Sequence, residues 1–269
     1  MKYFTFTPDG VENCTVTAML QTGLVNEMRN DKTYPAVVIC PGGGYGFVSE
    51  REAEPVGRPY FAAGYHVFIL TYSIGERAKD FEPLKQAAAT IAHVRAHAQE
   101  WRVEADHIAI CGFSAGGHLA ASSGTLYNTP EFQAAWGRND HIRPDAMILS
   151  YPVITSDEYT HTGSIENVSG SSIGSEKYCF FGLDNHVDAD TPPAFLWHTA
   201  NDELVPVENS LRMAAQLSKY KVPFEMHIFP DGEHGLSVCT DEVGTPYPYV
   251  GRWVDLSIVW LNQTFGYEK

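Results

Sequence analysis

Cysteine is scarce in this chain of 269 residues. The five present, Cys14, Cys40, Cys111, Cys179 and Cys239, are odd in number, widely spaced and form no CxxC pair. That argues against a disulfide framework and a thiolate zinc site, and it fits the reduced thiols of a cytoplasmic protein. Long apolar runs are also missing. No stretch reaches the roughly 18 apolar residues of a membrane helix. The opening Met1-Lys2-Tyr3-Phe4-Thr5-Phe6 alternates like a strand and lacks the apolar stretch of a secretory signal. Basic residues are few, with 18 Lys and Arg against 33 Asp and Glu and a net charge of −15. Nucleic acids and anionic membrane surfaces carry the same sign, so neither is expected as a partner. Internal repeats and low-complexity tracts are not apparent.

What is there is a globular composition, 44% hydrophobic, which rules out disorder and can fill a large core. Short apolar runs alternate with helical patterns, the mark of an α/β fold with a parallel sheet. Strands are expected at 36–40, 66–71, 107–111, 146–150, 194–198 and 225–229. Their runs are continuously apolar, as suits strands covered on both faces. Two more, near 3–7 and 15–21, alternate and flank a Pro8-Asp9-Gly10 turn, which predicts an antiparallel edge. Leu84, Ala87, Ala88, Ile91 and Val94 repeat at helical spacing, as do Leu211, Ala214, Ala215 and Leu217. A last helix is expected over about 250–265. Residues 157–191 are rich in Ser, Gly, Asn and Asp without a period, and read as an irregular insertion over one end of the sheet. No linker divides the chain, so 1–269 reads as one domain.

The strongest chemical signal is Gly112-Phe113-Ser114-Ala115-Gly116, between a strand and a small-residue helix. That context lifts a serine hydroxyl above the sheet edge as a nucleophile. The bland alternative is a glycine-rich turn with an idle serine. A serine needs a base. In this topology acid and base follow in chain order, each in a loop after a strand. Asp202 and His234 hold those places, with Glu203 and Asp231 as nearby carboxylates of the right chemistry. Cys40-Pro41-Gly42-Gly43-Gly44-Tyr45-Gly46 follows an early strand. Gly43, Gly44 and Ala115 are the expected N–H donors to a tetrahedral oxyanion, each worth about 3 kcal/mol of barrier. A phosphate loop is the rival, but its Gly-Lys-Ser/Thr ending is absent.

These motifs in this order resemble the α/β-hydrolase superfamily. Within it the chain looks like hormone-sensitive-lipase-type esterases and the bacterial acetylxylan esterase or BD-FAE-like hydrolases. Gly44-Tyr45-Gly46-Phe47 followed by Ser49-Glu50-Arg51-Glu52-Ala53-Glu54-Pro55 is similar to the latter group. The resemblance runs from about Tyr34 to Leu236. It implies a mostly parallel sheet of about eight strands with helices on both faces, and chemistry without a cofactor. Ser114 maps to the nucleophile, Asp202 to the acid and His234 to the base. One departure is Pro41, where the lipase-type loop carries His. The loop's anchor is therefore not identified by the resemblance.

Tyr45, Arg51 and Glu52 lie beside the glycine loop and are candidates for touching substrate; Arg51 and Glu52 equally suit capping of the next helix. Tyr159, Tyr178, Phe180, Phe181 and Trp136 offer faces for a sugar ring, or pack on the core. His93 and His97 have metal-ligand spacing but no third ligand, so no metal is expected. His118 is expected to pack below the elbow. The implied activity is a serine esterase that removes small acyl groups, acetyl foremost, from sugars or xylo-oligosaccharides through an acyl-enzyme. Its partner is then a small-molecule ester. A general short-chain carboxylesterase, an amidase such as an aryl formamidase, and a catalytically idle binding protein on the same scaffold are the alternatives. The intact Ser, Asp and His weigh against the last. The sequence leaves homo-oligomer formation open.

Overall fold

The computed structural model describes residues 1–22, 32–138 and 140–267. In them eight strands form one sheet: β1 Lys2–Phe6, β2 Thr15–Leu20, β3 Tyr34–Cys40, β4 His66–Thr71, β5 Val103–Phe113, β6 Ala146–Ser150, β7 Ala194–Thr199 and β8 Phe224–Phe229. Their order is β1-β2-β4-β3-β5-β6-β7-β8. β1 pairs antiparallel with β2, and β2 with β4. Every other pairing is parallel. The antiparallel edge and the parallel body are both as expected.

The helices are α1 Glu54–Ala62, α2 Glu82–Ala96, α3 Ala98–Trp101, α4 Ala115–Thr125, α5 Pro130–Trp136, α6 Thr162–Ser169, α7 Glu176–Phe180, α8 Glu208–Tyr220 and α9 Trp253–Phe265. Strand alternation divides β3 between two cores. Ala36, Val38 and Cys40 face one side, while Val37 and Ile39 face the other. The first core is covered by side chains of α2, α4 and α8 (Leu84, Leu119, Met213) and of the 157–191 stretch. The second is covered by α1 and α9, where Trp253 stacks on Trp197 at 4.9 Å between centroids. Such a pair is worth about 1 kcal/mol beyond its burial. This two-sided covering is why the central strands lack polar alternation.

One expectation needs correction. Residues 157–191 hold α6, α7 and a short 3-10 turn at Leu183–Asn185. Only Ile165 and Val168 supply α6 with large apolar anchors on the core. Two such residues are too few to show a period in the sequence.

Because β3 and β5 to β8 run parallel, their C-terminal ends open on one edge. The loops leaving that edge carry Gly42–Gly44, Ser114, Tyr151, Asp202 and His234. Crevices at this edge are where α/β sheets bind ligands.

Candidate active site

Ser114 joins β5 to α4 with φ +53° and ψ −119°. A non-glycine residue in that region carries strain of about 1–3 kcal/mol and must be held there. Three backbone bonds hold it. Its N–H donates to Ser150 O at 3.0 Å, and its carbonyl accepts from the His118 and Val153 N–H groups at 3.0 and 3.1 Å. The flanking glycines are needed for close approach. A Cβ on Gly112 would sit 2.0 Å from Gly116 O, and one on Gly116 would sit 2.1 Å from Cys40 O. The helix can therefore start directly against β3 and β5 only if both positions are glycine.

His234 Nε2 stands 2.8 Å from Ser114 Oγ, and its Nδ1 stands 2.7 Å from Asp202 Oδ2. The other Asp202 oxygen accepts the N–H groups of Leu204 and Val205 at 3.0 and 2.9 Å. His198 Nε2 lies 3.5 Å from the Oδ2. Burial alone would raise the Asp202 carboxyl. Hydrogen bonds from His198 and His234, with the Val205 N–H, outweigh burial and hold it well below the ordinary carboxylate range. It stays an anion, which selects the His234 tautomer with the proton on Nδ1 and the lone pair toward Ser114. Asp202 is 6% exposed. Its two rivals are placed elsewhere: Glu203 is exposed, and Asp231 accepts from Asn201 Nδ2 at 2.6 Å, latching the two loops together.

The glycine loop packs against the serine. A Cβ on Gly42 would lie 3.1 Å from Ser114 Cβ. The Gly42 N–H is taken by Glu52 Oε2 at 2.7 Å. The N–H groups of Gly43, Gly44 and Ala115 make no hydrogen bond within the described residues. Gly43, at φ +129°, lets the loop fold back so that its carbonyl accepts from Gly46 and Phe47 N–H at 2.9 and 3.1 Å. In front of Ser114 lies a cleft of about 450 Å³, bordered by Gly43, Gly44, Arg51, His161, Asn167 and His234 among others.

The BD-FAE family model matches residues 24–217. The chain belongs to the BD-FAE family. It is 34% identical over 80% of its length to endo-1,4-beta-xylanase B of Butyrivibrio fibrisolvens, covering 34% of that protein. It is 29% identical over 76% of its length to an acetylxylan esterase of Xylanibacter ruminicola, covering 42% of that one. The chain thus spans less than half the length of these two curated relatives. Among solved structures, the acetyl ester-xyloside bifunctional hydrolase of Caldicellulosiruptor lactoaceticus superposes with a TM-score of 0.81 at 34% identity. That match covers 95% of this chain and 89% of the other. The fold is that of the α/β hydrolases.

In this BD-FAE chain four side-chain hydrogen bonds anchor the glycine loop, which has no histidine at position 41. Tyr72 Oη donates to Pro41 O at 2.5 Å, Glu52 takes Gly42, and Asn167 Nδ2 donates to Gly44 O at 2.8 Å. Tyr45 is the fourth. It is 1% exposed, and its hydroxyl meets His118 Nδ1 at 2.9 Å beneath the loop. Its side chain faces α4, which corrects the expectation that it meets substrate. Arg51 and Glu52 border the cleft, but protein groups engage their polar atoms. Arg51 donates to Val243 O at 2.7 Å and Gly235 O at 2.9 Å. Glu52 Oε1 accepts from Tyr151 Oη at 2.5 Å, and that oxygen accepts the Ser237 N–H at 3.0 Å. The turn at Glu50–Glu52 therefore clamps the His234 loop to the glycine loop, instead of capping α1.

His118 donates from Nε2 to Phe181 O at 3.0 Å. It ties α4 to both the glycine loop and the insertion. His93 and His97 stack at 4.1 Å in a ring column with Phe6 and Trp101. Among the described residues there is no cluster able to hold a metal. Trp136, Tyr178 and Phe181 are buried in the core, and neither Tyr159 nor Phe180 borders the cleft. Tyr72, Tyr151, His161, Asn167 and His198 carry no motif, and only their contacts reveal them.

Proposed function

We propose that this chain is a serine carboxylesterase that removes acetyl and other small acyl groups from acetylated sugars or xylo-oligosaccharides. The observation that carries the reading is the unbroken run Asp202–His234–Ser114 beside three unengaged N–H groups. His234 takes the Ser114 proton as Oγ attacks the ester carbonyl. The developing oxyanion is received by Ala115, Gly43 and Gly44 N–H. The tetrahedral adduct collapses, the sugar alkoxide leaves with the proton from His234, and an acyl-serine remains. Water then attacks the acyl-serine with His234 as base, returning Ser114 and releasing acetate. The Asp202 anion stabilises the imidazolium in both steps.

The sugar half of the proposal draws on the relatives, whose names join ester cleavage to xylan or xylosides. A complete relay weighs against an idle scaffold. No helix of the described residues is long and apolar enough to cross a membrane. The described cysteines are all free, which supports a reducing, cytoplasmic setting and imported oligosaccharides as substrates. The test is acetate release from acetylated xylo-oligosaccharides by wild type and by Ser114→Ala. Release by wild type alone is expected. Turnover of aryl esters without acetate release from sugar would move the reading to a general short-chain esterase.

A further inference from the structure

The wall of the cleft mixes two kinds of surface. Phe47 and Leu204, 61% and 53% exposed, stand on its rim. Scattered exposed apolar residues need no explanation. These two share one cleft, and each extends from a loop serving Ser114. Phe47 is also held rigidly. Its N–H donates to Gly43 O, and a Cβ on Gly43 would lie 2.1 Å from its carbonyl oxygen. The ring is thus presented from a tight turn with little backbone freedom.

His161 is the polar counterpart. It flanks the start of α6 and borders the same cleft. Its Nδ1 meets Ser164 Oγ at 2.8 Å, and its Nε2 makes no hydrogen bond within the described residues. Burial, and to a lesser degree the nearby His234, lower its tendency to take a second proton, which favours the neutral ring.

We propose that Phe47 and His161 form the subsite for the pyranose ring of the leaving alcohol. The inference rests on the esterase reading and says where its sugar lies. A pyranose has an apolar C–H face and a rim of hydroxyls. The face covers the Phe47 ring, and one hydroxyl meets His161 Nε2. A hydroxyl both donates and accepts, so it satisfies either tautomer of His161. An alkyl chain in the same place would cover Nε2 and leave it unpaired, which costs affinity. The pairing of an apolar platform with an open imidazole nitrogen therefore selects a sugar over a fatty chain.

The test compares an acetylated methyl β-xyloside, ethyl acetate and methyl hexanoate as substrates for wild type, Phe47→Ala, His161→Ala and His161→Gln. Thermal unfolding of each variant confirms that it is folded. Both alanine variants are expected to lose kcat/KM on the xyloside at least tenfold more than on ethyl acetate, chiefly through KM. His161→Gln, which keeps a hydrogen-bonding group, should recover part of that loss. Equal losses on the two acetates overturn the subsite. So does a larger loss on methyl hexanoate than on the xyloside for Phe47→Ala, which would make the rim an acyl-chain surface. Wild-type turnover of ethyl acetate without turnover of the xyloside overturns it too. Failure of wild type on all three esters would instead overturn the esterase reading itself.

Discussion

The elbow and the insertion face one cleft but are built by opposite means. From Cys111 to Leu126 every residue is buried, and Ser114 is held where backbone presses on backbone. Between 157 and 177 most residues are exposed or half-buried, and α6 reaches the glycine loop through one amide, Asn167 to Gly44 O. Crowded backbone demands glycine and leaves a mark in the sequence. A wall hung on side-chain contacts leaves none. His118 joins the two regions, with Tyr45 on one nitrogen and Phe181 O on the other.

The largest effect is expected on the relay itself. Asp202→Asn should lower kcat on the order of 10⁴-fold, because the amide removes the anion and favours the wrong His234 tautomer. Steady-state kinetics with little change in KM would show it, whereas a loss under tenfold would remove Asp202 from its role. A pair of glycine substitutions separates the regions next. Gly116→Ala should cost about 3 kcal/mol or more, since its Cβ would meet Cys40 O at 2.1 Å and Pro41 O at 2.3 Å. Gly163→Ala in α6 meets nothing closer than His161 Cε1 at 3.7 Å and should change stability by less than about 1 kcal/mol. Equal unfolding midpoints in denaturant would break the contrast.

Acid should loosen the joint between the regions. Burial lowers His118 to about 4 from an ordinary 6.5, and does the same to His66, whose Nδ1 accepts the Gln21 N–H at 3.0 Å. The unfolded chain takes up these protons below about pH 6.5 and the folded chain only near pH 4. Stability is therefore full above 6.5 and falls as pH drops through that window, by about 2 kcal/mol per histidine at pH 5. Denaturant unfolding at pH 7 and pH 5 measures it, and a flat profile would contradict the buried neutral state of both rings. The smallest effect belongs to Asn167→Ala. Losing one hydrogen bond to Gly44 O should lower kcat by several-fold and stability by no more than about 1 kcal/mol. A larger loss of stability than of rate would mean that α6, more than the glycine loop, depends on this contact.

The same contrast explains what could be read beforehand. Five of the six parallel strands show as apolar runs covered on both faces. β8 does not meet that expectation, because it is the sheet's edge, is mostly half-exposed or exposed, and carries Glu225 and His227. β5 is longer than its run, because buried Val103 and the half-exposed or exposed Glu104–Asp106 extend it. α2 and α8 show through their spacing, and α9 falls within the expected 250–265. α1 is hidden by Gly57 and Pro59 inside it, and α6 by its polar composition. Ser114, Asp202 and His234 could be picked out because each follows a strand in a motif or a defined order. The clamp at Arg51 and Glu52 could not, because its partners Tyr151, Gly235, Ser237 and Val243 lie about 100 to 190 residues away in the chain. Tyr45 misleads for a related reason. At φ +56° its side chain turns beneath the loop, and nothing in Gly-Tyr-Gly indicates that turn.

The central claim is that Ser114 is the nucleophile and is activated by His234. Treatment with diisopropyl fluorophosphate, followed by peptide mass spectrometry, tests it most directly. An activated Ser114 Oγ displaces fluoride and forms a bond to phosphorus. Wild type should lose its esterase activity as one diisopropylphosphoryl group appears on Ser114. Ser114→Ala should take up none, and His234→Ala should label on the order of 10³-fold more slowly or less. Inactivation with the label on any other residue, or full activity with Ser114 labelled, would contradict the account.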